Sequence, residues 1–115
     1  MATLTTQVIN RAGAVITPVA AAGGGDAMTC GPGMILEVVN GGGSPITVTL
    51  AIPAGASGFP NVAYTSTAVS VTNGTTKWIG PILAQLYQDP TTGLCTITYS
   101  AVTSVTVAAV QVAQP

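Results

Sequence analysis

The chain contains no histidine, and only two basic and three acidic side chains stand among its 115 residues. These are Arg11, Asp26, Glu37, Lys77 and Asp89. Proton transfer at neutral pH uses His, or a carboxylate or Lys tuned by close neighbours. Five scattered charges supply few such neighbours, so no enzymatic activity and no catalytic residue are expected. One Arg and one Lys far apart in sequence cannot form the basic patch that neutralises phosphates, which excludes direct nucleic-acid binding. Apolar runs of about 18 or more residues, the length that spans a bilayer, are also missing. Thr, Gly, Pro or Gln interrupts every stretch, so no membrane partner is expected. The opening residues Met1-Ala2-Thr3-Leu4-Thr5-Thr6 have neither a basic nor an apolar segment of the kind a secretory signal peptide carries.

Aromatic residues are few, with Phe59 and Trp78 each the sole example of its type. The apolar fraction is nevertheless 48%, supplied mostly by Ala and Val. A core of small side chains gains modestly from each burial, and covering further surface with a partner adds to that gain. Soluble monomers carry about 25% charged residues. Here the figure is 4%, with a mean hydropathy of +0.61. Such a surface is poorly protected against association and suits a subunit covered by its neighbours.

What is abundant is strand-forming sequence. Ile46, Val48, Leu50 and Ile52 alternate with Thr47, Thr49 and Ala51. Cys95, Ile97 and Tyr99 alternate with Thr96 and Thr98, and Val105, Val107 and Ala109 continue the habit. Turn residues punctuate the runs: Gly31-Pro32-Gly33, Asn40-Gly41-Gly42-Gly43-Ser44-Pro45 and Asp89-Pro90-Thr91-Thr92-Gly93. Asn73-Gly74 is the strongest two-residue hairpin signal. The pattern predicts strands near 4–9, 14–20, 34–39, 46–52, 62–72, 75–80, 84–87, 94–100 and 103–112. No segment has a capped helical period. The expected fold is all-β, an antiparallel two-sheet β-sandwich of jelly-roll type. Residues 1–25 read as an N-terminal arm or first strands that contact a neighbour, ending in the Gly23-Gly24-Gly25 hinge, and residues 26–115 as the sandwich domain.

The candidate motifs reduce to structure. Gly23-Gly24-Gly25-Asp26 and Gly41-Gly42-Gly43 do not fit G-x-x-x-x-G-K-S/T and do not lie between a strand and a helix. A serine or cysteine nucleophile would have no base beside it. Paired carboxylates for glycoside cleavage, about 5–9 Å apart, would have to come from Asp26, Glu37 and Asp89, which read as solvated or capping groups at turns and strand ends. No dense acidic spacing suggests calcium, and without His or C-x-x-C no zinc site is expected. No cofactor, metal or small-molecule substrate is therefore anticipated. Asn73-Gly74-Thr75 matches a glycosylation sequon, for which the hairpin is the simpler reading. Cys30 and Cys95 are either two buried thiols or one long-range disulfide. Trp78 is either a core anchor or an interface anchor, as are Tyr64, Tyr87 and Tyr99.

The segment Trp78-Ile79-Gly80-Pro81, then Tyr87, then the run from Thr96-Ile97-Thr98-Tyr99 to Val107-Ala108, resembles the small head-decoration (cement) proteins of tailed bacteriophages, in particular those of actinobacteria. Thr3-Leu4-Thr5-Thr6-Gln7, Arg11-Ala12-Gly13, Gly24-Gly25-Asp26 and Val39-Asn40-Gly41-Gly42-Gly43-Ser44-Pro45 are similar too, so the resemblance spans nearly the whole chain. It departs at Cys30-Gly31-Pro32-Gly33, where the family often has a polar Asn/Asp-Gly turn. The resemblance implies a β-sandwich made in the host cytoplasm that joins the virion. There it would bind the major capsid protein on the outer capsid surface, as a homotrimer, and stabilise the head. Leu4, Val8, Arg11, Trp78, Pro81 and Tyr87 are the interface candidates. The alternative is a glycan- or receptor-binding sandwich of a phage tail or other surface structure, which would be present in few copies and bind sugar saturably.

Overall fold

The computed structural model describes residues 2–52, 67–89 and 91–112. Among the described residues the chain is all-β apart from one helical turn. In chain order the strands are β1 (Ala2–Thr3), β2 (Thr6–Ile9), β3 (Val19–Ala20), β4 (Asp26–Thr29), β5 (Met34–Asn40), β6 (Ile46–Leu50), β7 (Thr67–Val71) and β8 (Thr75–Ile79). The turn α1 (Ala84–Tyr87) and strands β9 (Leu94–Tyr99) and β10 (Val105–Val112) complete it. One sheet has the order β1-β4-β9-β6-β7 and the other β2-β10-β5-β8, with β3 also on β10. The two sheets face each other as a sandwich. Met28, Val48, Leu50, Val71, Cys95 and Ile97 of the first meet Met34, Leu36, Val38, Val105, Val107 and Ala109 of the second in one core.

The expected alternation sets this arrangement. Ile46, Val48 and Leu50 point inward while Thr47 is exposed, and Leu36 and Val38 are buried inward from β5. The pairs that build the sheet centres are antiparallel, namely β10–β5, β5–β8, β4–β9, β6–β7 and β6–β9. The two N-terminal strands instead join in parallel, β1 to β4 and β2 to β10. Between them Leu4 is buried, and its N–H donates to the Ala27 carbonyl at 2.8 Å. Residues 2–9 thus tie one sheet to the other.

Four local expectations are corrected. Residues 84–87 form a helical turn, closed by N–H groups of Tyr87 on Leu83 and of Gln88 on Ala84. It is built on Ala84-Gln85-Leu86, all good helix formers, and it puts Ile82 and Tyr87 into the core from its two ends. Strand β4, which follows the glycine run directly, had no expected counterpart. Of the strand anticipated at 14–20, only Val19–Ala20 pairs. Asn73-Gly74 is a turn but closes no hairpin, because β7 pairs with β6 and β8 with β5. The turn carries the chain from one sheet to the other. Gly74 takes φ +76°, and its N–H donates to the Asn40 carbonyl at 2.7 Å. Residues 53–66, including Phe59, Tyr64 and most of the anticipated 62–72 strand, lie outside the described residues.

Asn40 fastens the same end of the sandwich. Its Nδ2 donates to the carbonyls of Ser44 (2.9 Å) and Val71 (3.0 Å), and its Oδ1 accepts from the Gly42 N–H (3.0 Å). The Val71 bond runs from β5 in one sheet to β7 in the other. Lys77 adds a second tie, its Nζ donating to the Ser70 carbonyl at 3.0 Å.

Candidate functional site: an interaction surface

Two of the acidic residues expected at solvated turns are instead withdrawn from water. Asp26 opens β4 and points inward like Met28, at 0% exposure. Its Oδ2 accepts from the Tyr99 hydroxyl (2.7 Å) and the Ala22 N–H (3.2 Å). Its Oδ1 is buried with no hydrogen-bond partner. Loss of water, followed by the bond to Asp26 and the proximity of its charge, holds the Tyr99 phenol far above the ordinary range. This pair is a structural lock at one end of the core, with Asp26 buried and Tyr99 partly so.

Glu37 lies mid-strand in β5, on the face away from the core. Leu36 and Val38 point inward, so Ile35, Glu37 and Val39 line the outer face. Directly opposite Glu37 stand Trp78 on β8 and Ala108 on β10. Thr76, Thr106 and Val110 complete the surround through the neighbouring pairs. Glu37 is only 8% exposed, whereas Trp78 is 50% exposed. None of the described side chains on these three strands facing Glu37 is titratable, and none donates to its carboxylate. The loss of water raises its pKa above the ordinary 4.5.

This shift has a defined consequence. The folded chain holds the Glu37 proton more tightly than the unfolded chain, so stability falls as pH rises from below the ordinary value through the folded one. In dilute solution Glu37→Gln is expected to melt higher than wild type at neutral pH and to flatten that slope. Unchanged melting curves from acid to neutral pH would contradict the placement of this carboxylate.

The six interface candidates divide in two. Leu4 and Tyr87 turn their side chains into the core cluster instead of the outer surface. A short strand near a terminus or a turn leaves no mark in the sequence of which face is covered, so on sequence alone Leu4 stands as an interface candidate and Tyr87 is open between core and interface. Val8, Arg11, Trp78 and Pro81 are exposed. They do not form one patch. Val8 and Arg11 belong to the β2 edge of the second sheet, while Trp78 and Pro81 belong to the opposite, β8 edge. Arg11 sits in a defined turn. Asn10 accepts from Gly13 N–H through its carbonyl and from Ala12 N–H through Oδ1, both at 3.0 Å. Gln7 grips Thr17 through two bonds of 2.9 Å, which pins the loop to β2. Val15 in that loop is 91% exposed, and Val19 and Leu83 are further exposed apolar groups. Glu37 is the member of the surface that sequence reasoning missed. The alternation put it on the outer face, but no sequence signal showed that this face is largely covered.

Cys30 and Cys95 are free thiols lying near each other, with Cys30 Sγ donating to the Met28 carbonyl (4.0 Å) and Cys95 Sγ to the Thr96 carbonyl (3.8 Å). Cys95 is opposite Met28, and Cys30 lies two residues beyond Met28 on the same side. Burial first, then the neighbouring Cys30, pushes the Cys95 thiol up to about 12, and burial raises Cys30 as well. Both are expected to react with a thiol reagent at about pH 8 far more slowly than an unperturbed cysteine. Two equivalents should titrate on unfolding. Rapid labelling of the native chain would contradict the geometry.

Among the described residues, no three of His, Cys, Asp and Glu come together to hold a metal, and no helix is long and apolar enough to cross a membrane. An open cleft of about 290 Å³ lies at the Asn40 end, lined by Gly42, Gly43, Ser44, Pro45, Ala101 and Thr103 among others. The amide of Asn40, the one amide side chain in its lining, already donates twice and accepts once within the chain. Comparison with protein-family models, with characterised proteins and with solved structures finds no match.

Proposed function

We propose that this chain is a structural virion protein that binds the outer surface of a mature phage capsid and stabilises it. The observation that carries this reading is the chemistry of the exposed surface. Thr29, Thr47, Ser70, Thr75, Thr76 and Thr98 occupy exposed strand positions where soluble monomers place Lys and Glu. Burying Lys or Glu costs up to about 2 kcal/mol of side-chain entropy, and short hydroxyl side chains cost less. A surface of threonine and valine therefore loses little freedom when covered, and it offers hydrogen bonds and apolar area together. The sequence resemblance to head-decoration proteins supports the same reading.

The mechanism is additive burial. Each copy bridges neighbouring capsid subunits through a modest interface, and repetition over the shell resists the pressure of packaged DNA. Binding that favours the mature shell over its precursor stabilises the mature state by linkage. Self-association of the chain, as a trimer in this reading, adds avidity by raising the effective concentration of the remaining contacts. No cofactor, membrane or nucleic acid takes part.

Heads assembled without the chain are expected to release their DNA at a lower temperature than heads that carry it. Adding purified protein should restore the difference. Equal release temperatures, with and without bound protein, would remove the stabilising role.

A further inference from the structure

We propose that copies of this chain associate head to tail, with Arg11 of one copy seated on Glu37 and Trp78 of the next. The argument starts from two unmatched charges. Glu37 is 8% exposed as a residue, its carboxylate oxygens are not sealed from solvent, and no donor among the described residues reaches them. A charge that has lost part of its water without gaining a partner is destabilised, and pairing relieves that cost. Of the two cationic side chains, Lys77 is committed to the Ser70 carbonyl, on the core side of β8. Arg11 is exposed and makes no hydrogen bond or ion pair among the described residues.

The two charges cannot meet within one chain. The strand order β2-β10-β5-β8 puts Glu37 two strands from β2, about 10 Å across the sheet. Along the strands, Ile9 is opposite Val112 and Glu37 opposite Ala108, so the Arg11 turn is displaced by at least about 13 Å more. They therefore sit toward opposite edges of one sheet. Complementary patches on opposite edges are what a heterologous contact requires, and repeating it generates a ring or a filament.

The chemistry of the two partners also matches. A guanidinium presents a planar fork to a carboxylate and stacks on an indole face. Trp78 stands directly opposite Glu37 with half of its surface exposed, so both interactions are offered at one point. Val15, in the same pinned loop as Arg11, supplies apolar area beside it. The ordered loop leaves little freedom to lose on docking.

The inference rests on the reading of this chain as a repeated, covered subunit. Sedimentation of the free protein tests the contact, while binding to heads remains a separate measurement. Wild-type chain at high micromolar concentration is expected to sediment as an oligomer. Arg11→Glu and Glu37→Arg should each weaken association at least tenfold, and the double exchange should recover most of it. Arg11→Glu lies on an exposed loop, and Glu37→Gln serves as a second probe that preserves side-chain shape. A monomeric wild type, unaffected single variants, or a double variant no better than the singles would overturn the proposal. A monomeric wild type whose Glu37→Arg variant loses binding to heads would overturn it too, assigning the carboxylate to a basic group of the shell.

Discussion

Asp26→Ala is expected to remove about 2–4 kcal/mol of stability, a large share of the roughly 5–15 kcal/mol of a domain this size. The change deletes the acceptor for the Tyr99 hydroxyl and the Ala22 N–H, which are bonded at 2.7 and 3.2 Å. It strands a phenol that has already given up most of its water, and it opens a small void beside Met28 and Ile97. Relief of the partnerless Oδ1 offsets part of the loss. Tyr99→Phe should cost about 1–3 kcal/mol, because it leaves the carboxyl with the Ala22 N–H alone. The double variant should cost less than the sum of the two by about 1 kcal/mol or more, as groups sharing one hydrogen bond do. Denaturant unfolding of the four proteins measures this directly. Strict additivity would mean that the two side chains do not act as a unit.

The neighbouring position is expected to be at least as sensitive. Gly25→Ala should cost about 3–5 kcal/mol, from two independent sources. Gly25 takes φ +96°, outside the range side-chain-bearing residues readily adopt. A Cβ there would also stand 2.6 Å from the Ile97 carbonyl oxygen. That oxygen belongs to the backbone of β9, where Ile97 is paired with Asp26, so it cannot swing aside as a side chain would. Relief requires β4 to move off β9, which would disturb the Asp26–Tyr99 bond as well. Gly13→Ala is the internal comparison. It has a similar φ of +86° but open space around it, so it should cost only the backbone strain. Equal losses at the two positions would show that the close approach to Ile97 plays no part.

These two sites also mark where the sequence was readable. Alternation in Ile46–Leu50, Leu94–Tyr99 and Val105–Val112 revealed strands, the first two with one buried face and the last covered on both over residues 107–110, because that signal is local and has a period of two. It was enough for an all-β, two-sheet fold. Strand β4 escaped because Asp26-Ala27-Met28-Thr29 is too short to show a period, and its charged first residue resembles a turn. Its burial depends on Tyr99, more than seventy positions away. Asn73-Gly74 has the chemistry of a hairpin turn, and it does turn the chain. Which strands flank such a turn is decided by non-local pairing with β5 and β6, which no local signal encodes.

The candidate surface was legible in part. Trp78, open between core and interface in the sequence, is half exposed, and the surface placement of Arg11 followed from a chain with few charges. The near-burial of Glu37 did not, because it arises from three adjacent strands that are distant in sequence. Leu4 and Tyr87 went the other way, their apolar side chains taken by the core. The scarcity of charge thus has two structural expressions. Exposed strand positions carry hydroxyl and small apolar groups, and the acidic side chains Asp26 and Glu37 are drawn inside or nearly so.

The most direct test of the proposed role is a cryo-EM reconstruction of the phage particles proposed to carry this chain. The account predicts a sandwich of this topology on the outer shell, repeated in hundreds of copies, bridging capsid subunits and contacting its own copies. Particles whose shell surface lacks the chain, or which carry it only in a few copies on the tail, would contradict the account.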